Sequence, residues 1–445
     1  MFPHRVRLPV VNLAASAPSS VAEPISHAEK MGVPSGPKTR KSEWSWKVVS
    51  TGKEIDQLAH DWRELLPERA GPFQTFSWNR AWYRHFADAY DESAIFVVSK
   101  GGRAAAIFPC YRKGSEIRMA GDLCCDYQDV IASDEESVRI GLGLFIAWVK
   151  RRHAGCDLFF EKLSTQGLLY PILKHLDLER LGVFAFRKNY GPCPWVELPE
   201  SLDAWLGAMP RKVRGDWRRA LNRLDRELPE AEVLVHRDCG IPGGAVRDAA
   251  EFHRRHFRLE GTSPLADPRL VSLLEEVAPR EDVGLRLSLL KVGRIPLAID
   301  FGFTRGETYY GYLTGFDETF GKLAPGKCLL LRRIDWWRQE DGVRVLDFLC
   351  GGERYKDGFT QGNCYHVCSV RLLARTIPNA ARMMTLWSEW LFRGLSKRTL
   401  RFLGFDVSKT VDVSPLAEIE DVAPKVSASH PKEEESVIVE STRLG

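Results

Sequence analysis

The chain has 445 residues, of which 44% are hydrophobic and 27% charged. That is the make-up of a globular protein with room for two or three domains, and no apolar run is long enough for a transmembrane helix. Ten cysteines without CxxC pairs or regular spacing argue against a disulfide scaffold or a zinc site and read as reduced thiols of a cytosolic protein. The net charge of +4 is uneven: residues 405–445 hold nine acidic and four basic side chains, so the remainder is +9. A mildly basic body suits an anionic small ligand, and also weak contact with nucleic acid or a membrane surface.

Residues 1–43, rich in Pro, Ser and Ala and without periodicity, read as a disordered leader. Arg5 and Arg7 before LPVVNLAASA have the look of a signal peptide with an Ala15-x-Ala17 cleavage site. The apolar run is short and broken by Pro9 and Asn12, which favours a flexible start. A first α/β unit is expected over 44–190. Trp46–Val49 is strand-like, and Glu54–Leu66 puts Ile55, Leu58 and Trp62 on one helix face. Trp78, Trp82 and Phe86 recur at four-residue steps, a stripe that predicts core rather than a ligand cage. The runs 94–99 and 104–112 flank Gly101-Gly102 as a hairpin. The mixed stretch DLCCDYQDVI (122–131) precedes a helix over about 135–152, a strand over 157–163 and a helix over 167–176.

Gly191-Pro192-x-Pro194 is expected to break regular structure and to open a second half over 191–400. RKVRGDWRRALNRLDRE (211–227) predicts a helix whose apolar stripe is Val213, Trp217, Leu221 and Leu224. Arg211, Lys212, Arg214, Arg218, Arg219, Arg223 and Arg226 cover the rest. Such a face suits a phosphate-bearing substrate, a lipid headgroup or nucleic acid; it is also what the solvated side of an amphipathic helix looks like. Neither interleaved aromatics nor a nucleic-acid motif accompanies it. His253 and His256 share a helix face, but without HExxH or a third ligand they read as surface or core histidines, and no metal is expected. HVCSVRLLAR predicts a strand within 360–376, Trp387, Trp390 and Leu391 mark a helix over 378–400, and the acidic 401–445 reads as a disordered tail.

Residues 285–359 are the most informative. A strand, a turn at Val292-Gly293, a second strand, a turn at Arg305-Gly306 and a third strand from Thr308 to Leu313 predict three antiparallel strands. The loop 315–324 leads to Pro325-Gly326, which opens a helix striped by Leu329, Leu330, Ile334 and Trp337. Gly342 ends that helix, and Val343–Leu349 is a further strand. Lys100-Gly-Gly-Arg103 and Lys291-Val-Gly-Arg294 hint at an internal duplication. A helix start offers unpaired N–H groups and partial positive charge. Gly321 and Gly326 allow close approach, and Lys322 and Lys327 add charge. The stretch is therefore a candidate phosphate site, with plain capping as the alternative. In IPLAIDFGF, Ala298, Asp300 and Gly302 share one face, so Asp300 is either a ligand-facing carboxylate or a salt-bridged structural one. Tyr310 and Tyr312 share a face of the next strand, and Asp347, Glu353, Tyr355 and Lys356 cluster beside Gly351-Gly352. No GxSxG-type pattern points to a covalent acyl-enzyme.

The hairpin with Gly293 and Ala298, Tyr309-Tyr310-x-Tyr312, Gly315-Phe316-Asp317, Ala324-Pro325-Gly326 and Asp347-Phe348-x-x-Gly351-x-Glu353-x-Tyr355-Lys356 together resemble the acyltransferase domain of the CelD-type cellulose-biosynthesis proteins. That family is a FemAB-like branch of the GNAT superfamily. Phe73-Gln74-Thr75 and Asp126-Tyr127-Gln128-Asp129 extend the resemblance to the first half. It implies an α/β fold of two tandem GNAT-like halves, with mixed, mostly antiparallel sheets flanked by helices. It also implies acyl transfer, with acetyl as the expected group, from acetyl-CoA to an amine or hydroxyl of a sugar, polysaccharide precursor or envelope component. On this resemblance Gly321, Lys322, Leu323, Ala324, Pro325, Gly326 and Lys327 hold the coenzyme, in place of the superfamily's usual Gln/Arg-x-x-Gly-x-Gly/Ala loop. Asp300, Tyr310, Tyr312, Asp347 and Glu353 are the expected acids and bases, and Asp317, Tyr355 and Lys356 the acceptor contacts. The alternatives are a FemAB-like transferase using aminoacyl-tRNA and a non-catalytic accessory protein with the same fold.

Overall fold

The computed structural model describes residues 43–388, save Leu123, 257–262, Glu340 and Gln361. The expected leader, apart from Glu43, and the expected tail lie outside the described residues, as do Trp390 and Leu391.

The first half runs β1 (Trp44–Val49), α1 (Gly52–Gln57), α2 (Ala59–Leu65), α3 (Phe76–His85), β2 (Glu92–Ser93), β3 (Ile95–Lys100), β4 (Arg103–Phe108), β5 (Cys110–Lys113), β6 (Glu116–Met119), β7 (Ile131–Ala132), α4 (Glu135–Arg152), β8 (Asp157–Ser164) and α5 (Leu169–His175). Local chemistry sets many of these bounds. Thr51 and Glu54 form a capping box at α1, and Asp134 caps α4 by accepting from Ser137 N. The single helix expected over 54–66 is divided at Leu58, where ψ is −6°. Trp78 and Trp82 on α3 are fully buried, as the stripe predicts, and Trp82 stacks on Phe86.

The chain continues through β9 (Val183–Glu197), α6 (Leu202–Ala208), α7 (Arg211–Glu227), β10 (Glu232–Arg237), α8 (Ala245–His256), α9 (Pro268–Val277), β11 (Leu285–Val292), β12 (Ile295–Arg305), β13 (Thr308–Phe316), α10 (Pro325–Gln339), β14 (Val345–Asp347), α11 (Arg354–Thr360) and β15 (Cys364–Ala374). A further helix covers 377–388. One sheet has the order β1-β3-β4-β7; the other has eleven strands, β10-β11-β12-β13-β14-β9-β15-β8-β6-β5-β2. Two neighbouring pairs in the large sheet are parallel, β6 with β8 and β13 with β14, and each pair is joined through a helix. The architecture is the expected α/β one with mixed, mostly antiparallel sheets. Both K-x-G-R segments are hairpin turns, β3–β4 and β11–β12.

The expected break at Gly191-Pro192-x-Pro194 is absent: these residues lie inside the fifteen-residue strand β9. The prolines are tolerated because their carbonyls do the pairing. Pro194 O accepts from Phe348 N at 2.9 Å and Pro192 O from Gly351 N at 3.0 Å, just past the end of β14. No ladder partner there calls for the N–H that proline lacks. A boundary at 190/191 therefore cuts a strand. The halves also interlock, since β15 lies between β9 and β8.

Helix α7 forms as the sequence predicts, with Trp217 and Leu224 buried. Under α10, Ile334 and Trp337 pack with Trp205, Trp217 and Leu346. Gly302 is required by close packing, because a Cβ there would fall on the Tyr309 hydroxyl.

Candidate functional site

Strands β13 and β14 pair only from Thr308–Val345 to Tyr310–Asp347. Beyond that point β13 runs on to Phe316 while β14 stops, and the two part. A cavity of about 740 Å³ fills the wedge. Alternate residues of a strand face opposite sides. Leu346 and Phe348 accordingly line this cavity, while Val345 and Asp347 line a second one of about 310 Å³.

The start of α10 forms one wall. Ala324 is left-handed, with φ 50° and ψ 51°, and turns the chain from the 3-10 segment Glu318–Leu323 into the helix. Pro325 has no N–H, so Gly326 and Lys327 carry the free donors of the first turn. Gly321, Ala324, Gly326 and Lys327 line the cavity. Leu323 and Pro325 are buried beneath them, and Lys322 is exposed. A Cβ on Gly326 would meet only Phe316 Cδ1, at 3.7 Å. The glycine therefore leaves room on the cavity side. Arg223 of the basic helix α7 donates to Lys322 O at 2.8 Å and brings its guanidinium to the same loop.

The cavity floor holds a buried ion pair. Asp300, 3% exposed, accepts from the Arg333 guanidinium at 2.5 Å and from the Tyr309 hydroxyl. Asp300 is thus salt-bridged, and it lines the cavity. Burial pushes its pKa up, and Arg333 and Tyr309 oppose that. Its Oδ1 has no hydrogen-bond partner among the described residues.

At the far wall Glu353 pairs with Lys356 at 2.7 Å, and Lys356 also donates to Phe348 O at 3.0 Å. Glu353 and Tyr355 are exposed, whereas Lys356 is buried. The first half supplies Asp126 and Lys162, paired at 3.1 Å, and Cys124. Burial works against the Lys162 ammonium, but Asp126 and the other groups around it hold its pKa above the usual range. His253 and His256 also line this cavity. His253 Nδ1 lies 2.8 Å from Ser263 Oγ, and burial lowers its pKa to about 4. The His256 ring packs on Phe316. Among the described residues no group of three or more His, Cys, Asp or Glu side chains is placed to hold a metal ion.

The structure divides the side chains that the sequence grouped. Tyr312 lines the large cavity, with its hydroxyl donating to Cys124 O at 2.7 Å. Tyr310 lines the second cavity instead, with Asp347. Asp347 accepts from Tyr127 at 2.8 and 2.9 Å and from Leu349 N at 2.7 Å. Burial raises its pKa to about 7. Asp347 and Glu353 are close in sequence but face different cavities. Asp317 caps the 3-10 segment by accepting from Thr319 N and is not part of the cavity lining. Asp126, Lys162, Arg333 and Cys350 of the lining and floor were missed by sequence reasoning. Only Asp126 carried a signal, in the DYQD stretch.

Residues 211–357 match the model of an acetyltransferase (GNAT) domain. No curated protein sequence matches the chain. Among solved structures, FemX is similar with a TM-score of 0.51 at 11% identity, covering 76% of this chain and 99% of its own. A tandem GNAT protein from the clavulanic acid biosynthesis pathway gives 0.41 at 14% identity, covering 73% and 98%. L-PGS from Bacillus licheniformis gives 0.43 at 12% identity, covering 63% and 85%. Residues 211–357 are thus similar to a GNAT acetyltransferase domain, and the α/β fold is similar to that of FemX. No helix among the described residues is long and apolar enough to cross a membrane.

Proposed function

We propose that the protein transfers an acyl group, acetyl being the simplest, from acyl-CoA to an amine or hydroxyl in the large cavity. The observation that carries this reading is the open helix start at Gly326 and Lys327, set where β13 and β14 part. Free N–H groups, the helix dipole, Lys327 and Arg223 together favour a pyrophosphate there. The bound coenzyme would supply an activated carbonyl and a thiolate leaving group. Glu353 is the base for the acceptor proton, being the expected carboxylate that faces this cavity without burial. Tyr312, whose hydroxyl donates to Cys124 O in the absence of a ligand, gives a proton to the thiolate, and Lys356 orients Glu353. Asp126 and Lys162 bring the first half into acceptor recognition. The CelD-type motifs suggest a sugar, polysaccharide precursor or envelope component as acceptor, and with it a role in cellulose or exopolysaccharide production.

Calorimetric titration with acetyl-CoA tests the reading, beside Gly326→Asp. The expected result is saturable binding by the wild type that is lost in the variant. The space around Gly326 means the loss would not come from a protein clash. Absence of binding by folded wild-type protein would overturn the reading. A second reading, aminoacyl-tRNA as donor, is favoured by the basic face of α7 beside the same loop. Saturable binding of labelled aminoacyl-tRNA without binding of acetyl-CoA would select it. Binding of neither would leave the non-catalytic accessory role.

A further inference from the structure

The second cavity lies across β13 and β14 from the large one, and among the described residues no side chain lines both. Its volume, about 310 Å³, is at the small end for a ligand pocket and suits a ligand of one ring. Two of its walls are aromatic. Tyr310 comes from β13 and Tyr365 from β15. Trp195 stacks on Tyr365 with centroids 5.1 Å apart and 7° between planes, which fixes the plane of that ring. Tyr127, also in the lining, stands edge-on to Tyr310 at 6.5 Å. Aromatic faces are electron-rich and attract the C–H edge of a ring laid against them. Beside them are the hydroxyls of Ser164 and Thr308, and a hydroxyl both gives and takes hydrogen bonds.

Asp347 has capacity left for a ligand. Tyr127 Oη lies 2.8 Å from its Oδ1 and 2.9 Å from its Oδ2, but a phenol has one hydrogen to give. Leu349 N donates to Oδ1. Oδ2 is left with a share of one hydrogen, on a carboxyl that is 4% exposed and sits in a cavity wall. With its pKa raised by burial to about 7, this carboxyl can donate as well as accept at neutral pH. The other carboxyl of the lining is occupied by backbone: Asp129 accepts from Val130 N, Leu168 N and Leu169 N at 2.9, 2.5 and 2.8 Å, which closes the start of α5. Arg69 and Gln166 are exposed at the rim. A cation would meet Arg69 at the mouth, and an anion would meet two carboxyls inside. A neutral ring that carries several hydroxyls meets neither objection.

We propose that the second cavity binds a neutral sugar, one pyranose unit laid against Tyr310 and Tyr365 with a hydroxyl on Asp347 Oδ2. The site recognises and does not react, because the sheet separates it from the helix start at Gly326. It stands independently of the acyl-CoA reading. Where that reading holds, the sugar bound here is not the one that is acylated.

The test is to titrate the full chain with methyl β-D-glucopyranoside, followed by saturation-transfer NMR, with no acetyl-CoA present. The expected result is saturable, millimolar binding that is at least about tenfold weaker in Tyr365→Ala. Tyr365→Phe keeps the ring and should retain most of the affinity. Thr308→Trp, which fills the cavity from a half-buried strand position, should abolish binding even where loss of Tyr365 disturbs the fold. Gly326→Asp should bind the glucoside as the wild type does, and cyclohexylmethanol, a ring without the hydroxyls, should bind at least about tenfold more weakly than the glucoside. Absence of saturable binding by the folded wild type would overturn the proposal. So would wild-type affinity in Thr308→Trp, or equal affinity for cyclohexylmethanol. Binding lost in Gly326→Asp would place the sugar in the large cavity and overturn it too. None of these readouts requires acyl transfer, so failure here and failure of the acyl-CoA reading are seen separately.

Discussion

The two parallel strand–helix–strand units differ most at their helices. In the first, β6–α4–β8, the helix start is closed: Asp134 accepts from Ser137 N at 2.8 Å, and Glu135 and Glu136 fill the first turn. Its buried face includes Val138, Leu142, Phe145, Ile146 and Val149. In the second, β13–α10–β14, the first turn is Pro-Gly-Lys with no acidic residue, and it opens into the large cavity. Its buried face carries Arg333, paired with Asp300. One unit has a helix start that repels anions over an apolar interior. The other has a helix start suited to anions over a charged interior, where burial of an ion pair costs stability. Such a difference is expected when one unit is kept as scaffold and the other for a ligand.

Removing one partner of the buried pair should have the largest effect. Arg333→Met is expected to cost about 3–5 kcal/mol in urea unfolding, because Asp300 is left as a buried lone charge. Asp300→Leu with Arg333→Met should recover much of that loss. If Arg333→Met unfolds like the wild type, the contrast in helix interiors has no energetic content.

Asp347 gives the next effect, seen as pH dependence. Its pKa is about 7 when folded against 3.8 for an ordinary Asp. Between these values the folded chain holds the proton more tightly, so this group's contribution to stability falls as pH rises through the interval and levels off above it. Relative to Asp347→Asn, the wild type should lose about 2–4 kcal/mol across that range, at about 1.4 kcal/mol per unit. Parallel pH profiles for the two proteins would show that the carboxyl is not held up by burial.

Gly326→Asp should weaken acetyl-CoA binding by more than about tenfold, or about 1.4 kcal/mol. The paired change Glu135→Gln and Glu136→Gln at α4 should leave that binding unchanged. Equal effects at both sites would erase the distinction between the helix starts. The smallest effect is at the closed start itself. Asp134→Ala should cost about 1 kcal/mol of unfolding free energy with no change in acetyl-CoA titration.

What could be read from the sequence was local. The hairpin turns at Gly293 and Gly306 and the opening of α10 at Pro325-Gly326 depend on residues adjacent in the chain, and they form as expected. Strand β9 was misread because proline signals a break unless the neighbour's geometry is known, and that neighbour, β14, is some 150 residues away. Asp126 and Lys162 are brought to the cavity by tertiary packing across the halves, which no spacing encodes. Asp347 and Glu353 group together in the sequence because only five residues separate them. The strand's alternation and the turn at Leu349 send them to different sides.

Strand β15 has a consequence for how the molecule is made. Residues 364–374 fill the place between β8 and β9, both complete by residue 197. While the chain grows from its N-terminus, the first half's sheet keeps an open slot until more than 160 further residues have been added. The two halves therefore mature together rather than in turn. Formation of this long-range pairing should be the slow step of folding, and until it forms the facing edges of β8 and β9 are open to association with other chains.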